Sequence, residues 1–129
     1  YILEMIGFFS EQPIQSYPVG LKWIYPSHGN FIATVSNVSS RDLGAGYCAA
    51  MQQLDQLECQ RLVAPSFANA FDFSDHLNYW EFDIPAVMIT DTAFYRNSHY
   101  HTKADRLATL NLSKMANVID GLVQHLLKP

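Results

Sequence analysis

The sequence predicts an α/β domain built on a largely parallel sheet, and three observations carry that prediction. Residues 1–7, 31–36 and 84–90 are short, almost continuous apolar runs, as expected of strands buried on both faces. Residues 43–57 and 113–127 instead space their apolar side chains at a helical period. The two kinds of segment alternate along the chain, which is the pattern left by helical crossovers between parallel strands.

Residues 1–7 are apolar except for Glu4 and read as a buried strand ending at Gly7. Residues 10–30 contain Pro13, Pro18 and Pro26 and no clean periodicity. They form a long connection, of the kind that often serves function. Phe31–Ser36 (FIATVS) is a second strand with β-branched character. Ser39, Ser40 and Asp42 offer caps for a helix running to about residue 60, with Leu43, Tyr47, Ala50, Met51, Leu54 and Leu57 at its apolar positions. Residues 61–65 are a short strand candidate. Residues 75–82 read as a short helix with Ser74 at its cap. Residues 84–90 are a further apolar strand. Residues 113–127 form a terminal amphipathic helix with Met115, Val118, Ile119, Leu122, Val123 and Leu126 on one face.

At 129 residues the chain is one domain at most, and long enough to bury a core. The net charge is −4 and no basic patch is visible, which argues against a nucleic-acid partner. No stretch of about 18 apolar residues exists, so no membrane span is expected. Cys48 and Cys59 lie in or beside a helical pattern and read as two buried or half-buried thiols, with a disulfide as the alternative. No signal peptide is visible, and the chain opens with Tyr1 inside a strand pattern. A fragment or processed piece of a longer protein is therefore expected. The compartment stays open.

The polar residues concentrate in residues 74–105. There Asp75, His76, Asp91, His99, His101 and Asp105 surround one apolar run. Imidazole and carboxylate are common metal ligands. An apolar strand feeding a polar loop is how an α/β sheet presents a site at a strand's carboxyl end. Glu4 is a carboxylate in an apolar pattern. Buried, it would need a cation, a metal or a proton; otherwise it faces solvent near the strand end. His99 lies two residues from His101 and points the other way if the loop is extended, so it is not counted as a ligand. His28 and His125 read as solvated.

The string SDHxxxWxxxIPAVMITDTAFYRNxHYHT resembles the C-terminal half of the zinc-dependent exopeptidases, the group that includes the bacterial leucyl aminopeptidases. Leu3-Glu4-Met5-Ile6-Gly7 resembles a second block of that family, in the family's order. The resemblance implies a three-layer α/β fold, a mixed and mostly parallel sheet flanked by helices, of which this chain is the C-terminal part. It implies that Glu4, where the family more often has Asp, and His101, in the string HTxxD, bind zinc. Tyr100 would donate a hydrogen bond to the tetrahedral intermediate, with a packing tyrosine as the alternative. Asp75 would hydrogen-bond within the active site with His76 packed behind it; Ser74 and Asp75 could equally be simple helix caps. Asp91, Arg96 and Asn97 follow the strand at residues 84–90, a position from which they would line the pocket and bind substrate ends, with surface placement as the equal alternative. Arg106 and Leu107 depart from the family's usual Thr and Pro, which touches the shape of the loop rather than the ligand.

The family's site holds two zinc ions, and its first half supplies a His-x-Asp element and a Glu-Glu pair. The sequence contains neither. The residues matching Glu4 and His101 bind different zinc ions, whereas a catalytic zinc needs about three protein ligands. The resemblance therefore implies a mechanism completed by a longer parent, acting on peptide substrates, with the isolated chain inactive or nearly so. A glutaminyl cyclase-like acyltransferase is the rival reading. Such cyclases tend to carry Trp near the last ligand, and Tyr100 favours the peptidase. A non-catalytic module of the same fold is a third reading, which retention of Glu4 and His101 opposes. An exposed sheet edge would also invite homo-oligomerisation.

Overall fold

The computed structural model of the chain describes residues 1–18, 20–64 and 74–128. Strands β1 (Ile2–Leu3), β2 (Phe31–Ser36), β3 (Glu58–Val63) and β4 (Val87–Thr90) form one sheet in the order β1-β4-β2-β3. Among the described residues the α-helices are α1 (Arg41–Leu54), α2 (His76–Trp80) and α3 (Leu112–Leu126). β1 runs parallel to β4 and β3 parallel to β2, while β4 is antiparallel to β2. The expected α/β class is observed, with a mixed sheet whose one reversal lies at its centre.

β2 is buried along its whole length and uses its two-residue period to serve both faces of the sheet. Ile32 enters the core with Tyr47 and Met51 of α1, Ile89 of β4 and Val118 of α3. Thr34, on the same face, meets Gly44, where a Cβ would lie 2.9 Å from the threonine Oγ1 and 3.3 Å from its Cβ. The missing side chain lets α1 lie close on β2. Gly121 does the same between helices, because a Cβ there would strike the Met51 side chain. The Tyr47 hydroxyl donates to the Val118 carbonyl at 3.1 Å, which joins α1 to α3 inside the core.

α1 ends six residues short of the expected boundary. Asp55 takes the left-handed conformation (φ 50) while its amide still reaches the Met51 carbonyl at 3.2 Å. This turn frees Glu58–Val63 to pair with β2, so the strand expected at residues 61–65 begins earlier; Pro65 itself lies outside the described residues. The same turn brings Cys59 beneath Cys48. The two form a disulfide with Cα atoms 5.3 Å apart, in place of the expected free thiols.

Other boundaries move for local reasons. The first strand keeps only two ladder residues, after which Met5 adopts φ 52 and the chain turns away; Leu3 is 41% exposed, on an edge rather than in a core. Residues 84–86 do not join the ladder. There the Ala86 amide donates to Ser40 Oγ at 3.1 Å, and the Ala86 carbonyl accepts from Trp80 Nε1 at 2.9 Å. Ser40 is thus the N-cap residue of α1 without capping it by its side chain. α3 begins with Asn111, whose Oδ1 accepts from the Lys114 amide at 3.0 Å. Of its expected apolar face, Val118 is buried and Met115 and Leu122 are half-buried, but Ile119, Val123 and Leu126 stay exposed. The sheet edges are β1 and β3, and on β3 the Arg61 carbonyl is taken by the Tyr25 hydroxyl at 2.7 Å. Among the described residues no helix is long and apolar enough to cross a membrane.

Candidate functional site

The second face of the sheet forms the floor of a cleft. Phe31, Ala33 and Val35 of β2 and Met88 and Thr90 of β4 make that floor. The long connection supplies one wall through Gln15, Tyr17, Pro18, Leu21 and Tyr25, and residues 92–100 supply another. Glu4 and Tyr100 both line it. Glu4 follows β1, fixed there by its amide, which donates to the Ile89 carbonyl at 3.0 Å. Its side chain is half-buried, with Oε2 accepting from Ser74 Oγ at 3.4 Å. It is the carboxylate of an otherwise mostly apolar and aromatic cleft.

Tyr100 lines the cleft with Glu4 and is the sequence neighbour of His101. The phenol ring lines the cleft, and the imidazole of His101 stacks on it with centroids 3.9 Å apart and planes 15° apart. His101 itself is exposed and takes a left-handed backbone (φ 57), which lets consecutive rings lie side by side. The turn before it is set by Asn97, whose Oδ1 accepts from the His99 amide at 2.9 Å and whose carbonyl accepts from the Tyr100 amide at 3.1 Å.

Three residues expected to line the pocket belong to its framework instead. Asp91 is fully buried: one carboxylate oxygen accepts from the amides of Gly7 and Phe8 at 3.0 and 2.7 Å, the other from the Ala93 amide at 3.0 Å. Burial pushes its pKa up to about 6, opposed by those amides and by Arg96. Arg96 is 4% exposed and donates to the carbonyls of Phe8 and Phe31 at 3.2 and 2.9 Å and to Gln15 Oε1 at 2.7 Å. Burial lowers its pKa to about 10, with Asp91 pulling the other way. Asn97 is 1% exposed. The physical reason is common to all three: turns at the end of β4 bury main-chain groups, and these side chains satisfy them.

Of the two places expected for Asp75, the structure has the helix end rather than the cleft. Asp75 is the exposed N-cap residue of α2, makes no side-chain cap bond, and does not line the cleft; its neighbour Ser74 is the one that reaches Glu4. His76 is fully buried, with its ring 4.6 Å from Trp80 in an edge-on contact. Sequence reasoning missed Gln15 and Thr92, whose side chains bond across the cleft wall; only the length of the connection hinted at them.

No group of three or more His, Cys, Asp or Glu side chains stands close enough to hold a metal ion among the described residues. Glu4 and His101 nonetheless offer the oxygen and nitrogen donors that zinc accepts. Glu4 lines the cleft, whereas His101 is exposed and does not line it, so the described residues offer these two donors singly.

A profile of peptidase family M28 matches residues 23–126, a span that contains His101 and leaves Glu4 outside. The uncharacterized protein YfbL of Escherichia coli K12 is 46% identical over 123 residues, covering 94% of this chain and 38% of that protein. The crystal structure of the Legionella pneumophila LapA aminopeptidase is similar at 20% identity with a TM-score of 0.61, over 95% of this chain and 28% of that one. A second LapA structure is similar at 24% identity and a TM-score of 0.59, over 74% and 25% of the two chains. The structural likeness shows a shared fold, and the chain spans well under half the length of each of these relatives. Because the family profile matches most of its length, the chain belongs to peptidase family M28.

Proposed function

We propose that the chain forms part of a zinc aminopeptidase that removes residues from the free amino termini of peptides. The observation that supports this best is the placement of Tyr100, which shares a cleft with Glu4 and stacks on His101. In this reading Glu4 is a ligand to one zinc ion and His101 a ligand to the other. When bound, zinc supplies a Lewis acid for the scissile carbonyl. The Tyr100 hydroxyl donates to the oxygen on which charge develops in the transition state. The ring of Tyr100 also fixes the imidazole plane of His101. Asp91, Arg96 and Asn97 keep the cleft wall in place without touching substrate. The apolar floor excludes water around the reacting groups, which strengthens each of these electrostatic interactions.

One donor per metal is too few for tight binding. The remaining ligands and the general base are therefore proposed to come from residues outside these 129, and the chain alone is proposed to be inactive. Hydrolysis of a peptide with a free amino terminus, compared with its N-acetylated form, tests the reading in a polypeptide that includes those residues. Cleavage of the free form only is expected, and substitution His101→Ala should cut turnover by orders of magnitude. Unchanged turnover in that variant would refute the assignment.

A further inference from the structure

The turn that follows β4 is unusual for a chain of L residues. Thr92 and Ala93 are consecutive, neither is glycine, and both have positive φ, 77 and 47. Such residues sit in the left-handed region singly and reluctantly. A pair of them persists only where its surroundings over-determine the backbone.

Gln15 provides that restraint from the opposite wall. Its amide nitrogen donates to Thr92 Oγ1 at 3.0 Å and to the Tyr95 carbonyl at 3.5 Å. Its carbonyl oxygen accepts from Arg96 Nε at 2.7 Å and from Thr92 Oγ1 at 3.3 Å. The next residue repeats the attachment, since the amide and the hydroxyl of Ser16 both donate to the Tyr95 carbonyl at 2.7 Å. The restrained turn leads through the Asn97 amide, bonded to the Ala93 carbonyl at 2.8 Å, to the Tyr100 amide on the Asn97 carbonyl at 3.1 Å. Hydrogen bonds and the backbone of the 92–97 turn thus link Gln15 to Tyr100.

We infer that Gln15 is a positioning residue: it holds the strained Thr92–Ala93 turn and thereby sets where Tyr100 stands in the cleft. The catalytic consequence rests on the aminopeptidase reading, whereas the structural consequence does not.

Amide hydrogen exchange in the protein and its Gln15→Ala variant tests the structural part. Exchange at the amides of Tyr95, Arg96, Asn97 and Tyr100 should rise at least tenfold, with β2 and the helices unchanged. Adding Ala93→Gly to Gln15→Ala, which makes the left-handed turn easy, should restore slow exchange at those amides. Should Gln15→Ala fail to fold, Gln15→Glu serves. It keeps the acceptor for Arg96 and loses the donor to Thr92 and Tyr95, so the same amides should be exposed with the same rescue by Ala93→Gly. Unchanged exchange in residues 92–100, a uniform rise across the chain, or no rescue would each overturn the inference. Where the intact enzyme hydrolyses peptides, Gln15→Ala should lower kcat with little change in KM, and Ala93→Gly should recover it. If no hydrolysis is found for the unsubstituted enzyme, the aminopeptidase reading fails while the exchange result still decides the role of Gln15.

Discussion

The carboxylate of Asp91 accepts a 2.7 Å hydrogen bond from the amide of Phe8, so the end of β4 is tied to the segment leaving β1 by a fully buried ionisable group. Burial raises the pKa of that group to about 6, against an unfolded value of about 3.9. Between those values the folded chain keeps a proton that the unfolded chain has released. The contribution of Asp91 is therefore fully present below about pH 4 and is lost as pH rises through about 6, a change of at most about 3 kcal/mol. Denaturant unfolding at closely spaced pH values should show stability falling across this window relative to Asp91→Asn. Parallel profiles for the two proteins would contradict it.

The disulfide between Cys48 and Cys59 closes a short loop across the left-handed turn at Asp55. On loop-closure grounds, bridging residues 11 apart stabilises by about 3 kcal/mol. Reduction should lower the unfolding midpoint by a corresponding amount. Titration of the native oxidised protein should find no thiols, and two after reduction. Two reactive thiols in the native protein would contradict the pairing.

Tyr47 carries a fully buried ring and one core hydrogen bond to the Val118 carbonyl. Tyr47→Phe removes the hydrogen bond and keeps the packing, and should cost about 1 kcal/mol. Tyr47→Ala opens a cavity between α1 and α3 and should cost about 3–5 kcal/mol. Equal losses for the two variants would mean that packing at this position matters less than the contact geometry indicates.

The parts of the fold that sequence disclosed were those with a strong local signal. β2 was legible because six consecutive residues are buried and β-branched residues are among them. α3 was legible from its period, but not how much of its apolar face stays open, since that depends on what packs there. The end of α1 was not legible, because Asp55 takes a left-handed turn without a glycine to mark it. At the site, Glu4, Tyr100 and His101 were singled out through the family resemblance; Glu4 and Tyr100 line one cleft, and His101 stacks on Tyr100. Asp91, Arg96 and Asn97 looked like substrate contacts because polar residues after an apolar strand usually face a site. Their partners are buried and half-buried main-chain groups at residues 7, 8, 31, 93 and 99, which no local pattern announces.

The stack of Tyr100 on His101 separates two contributions of one side chain. Tyr100→Phe keeps the ring and removes the hydroxyl. If the hydroxyl stabilises the oxyanion, kcat should fall by about 10²-fold, the scale of losing one such donor, with KM and zinc content little changed. Tyr100→Ala should also weaken zinc retention, by freeing the imidazole of His101. Full activity in Tyr100→Phe would assign the tyrosine to packing alone.

The most direct test of the account is zinc content per chain, by elemental analysis after dialysis, on this 129-residue chain and on a polypeptide that also contains the first half of the family's site. About two zinc ions are expected on the longer polypeptide, reduced to about one by Glu4→Ala or by His101→Ala, and well below one on the 129 residues alone. One zinc ion held stoichiometrically by the 129-residue chain would mean that a complete ligand set lies within it, and would contradict the assignment of Glu4 and His101 to separate metals.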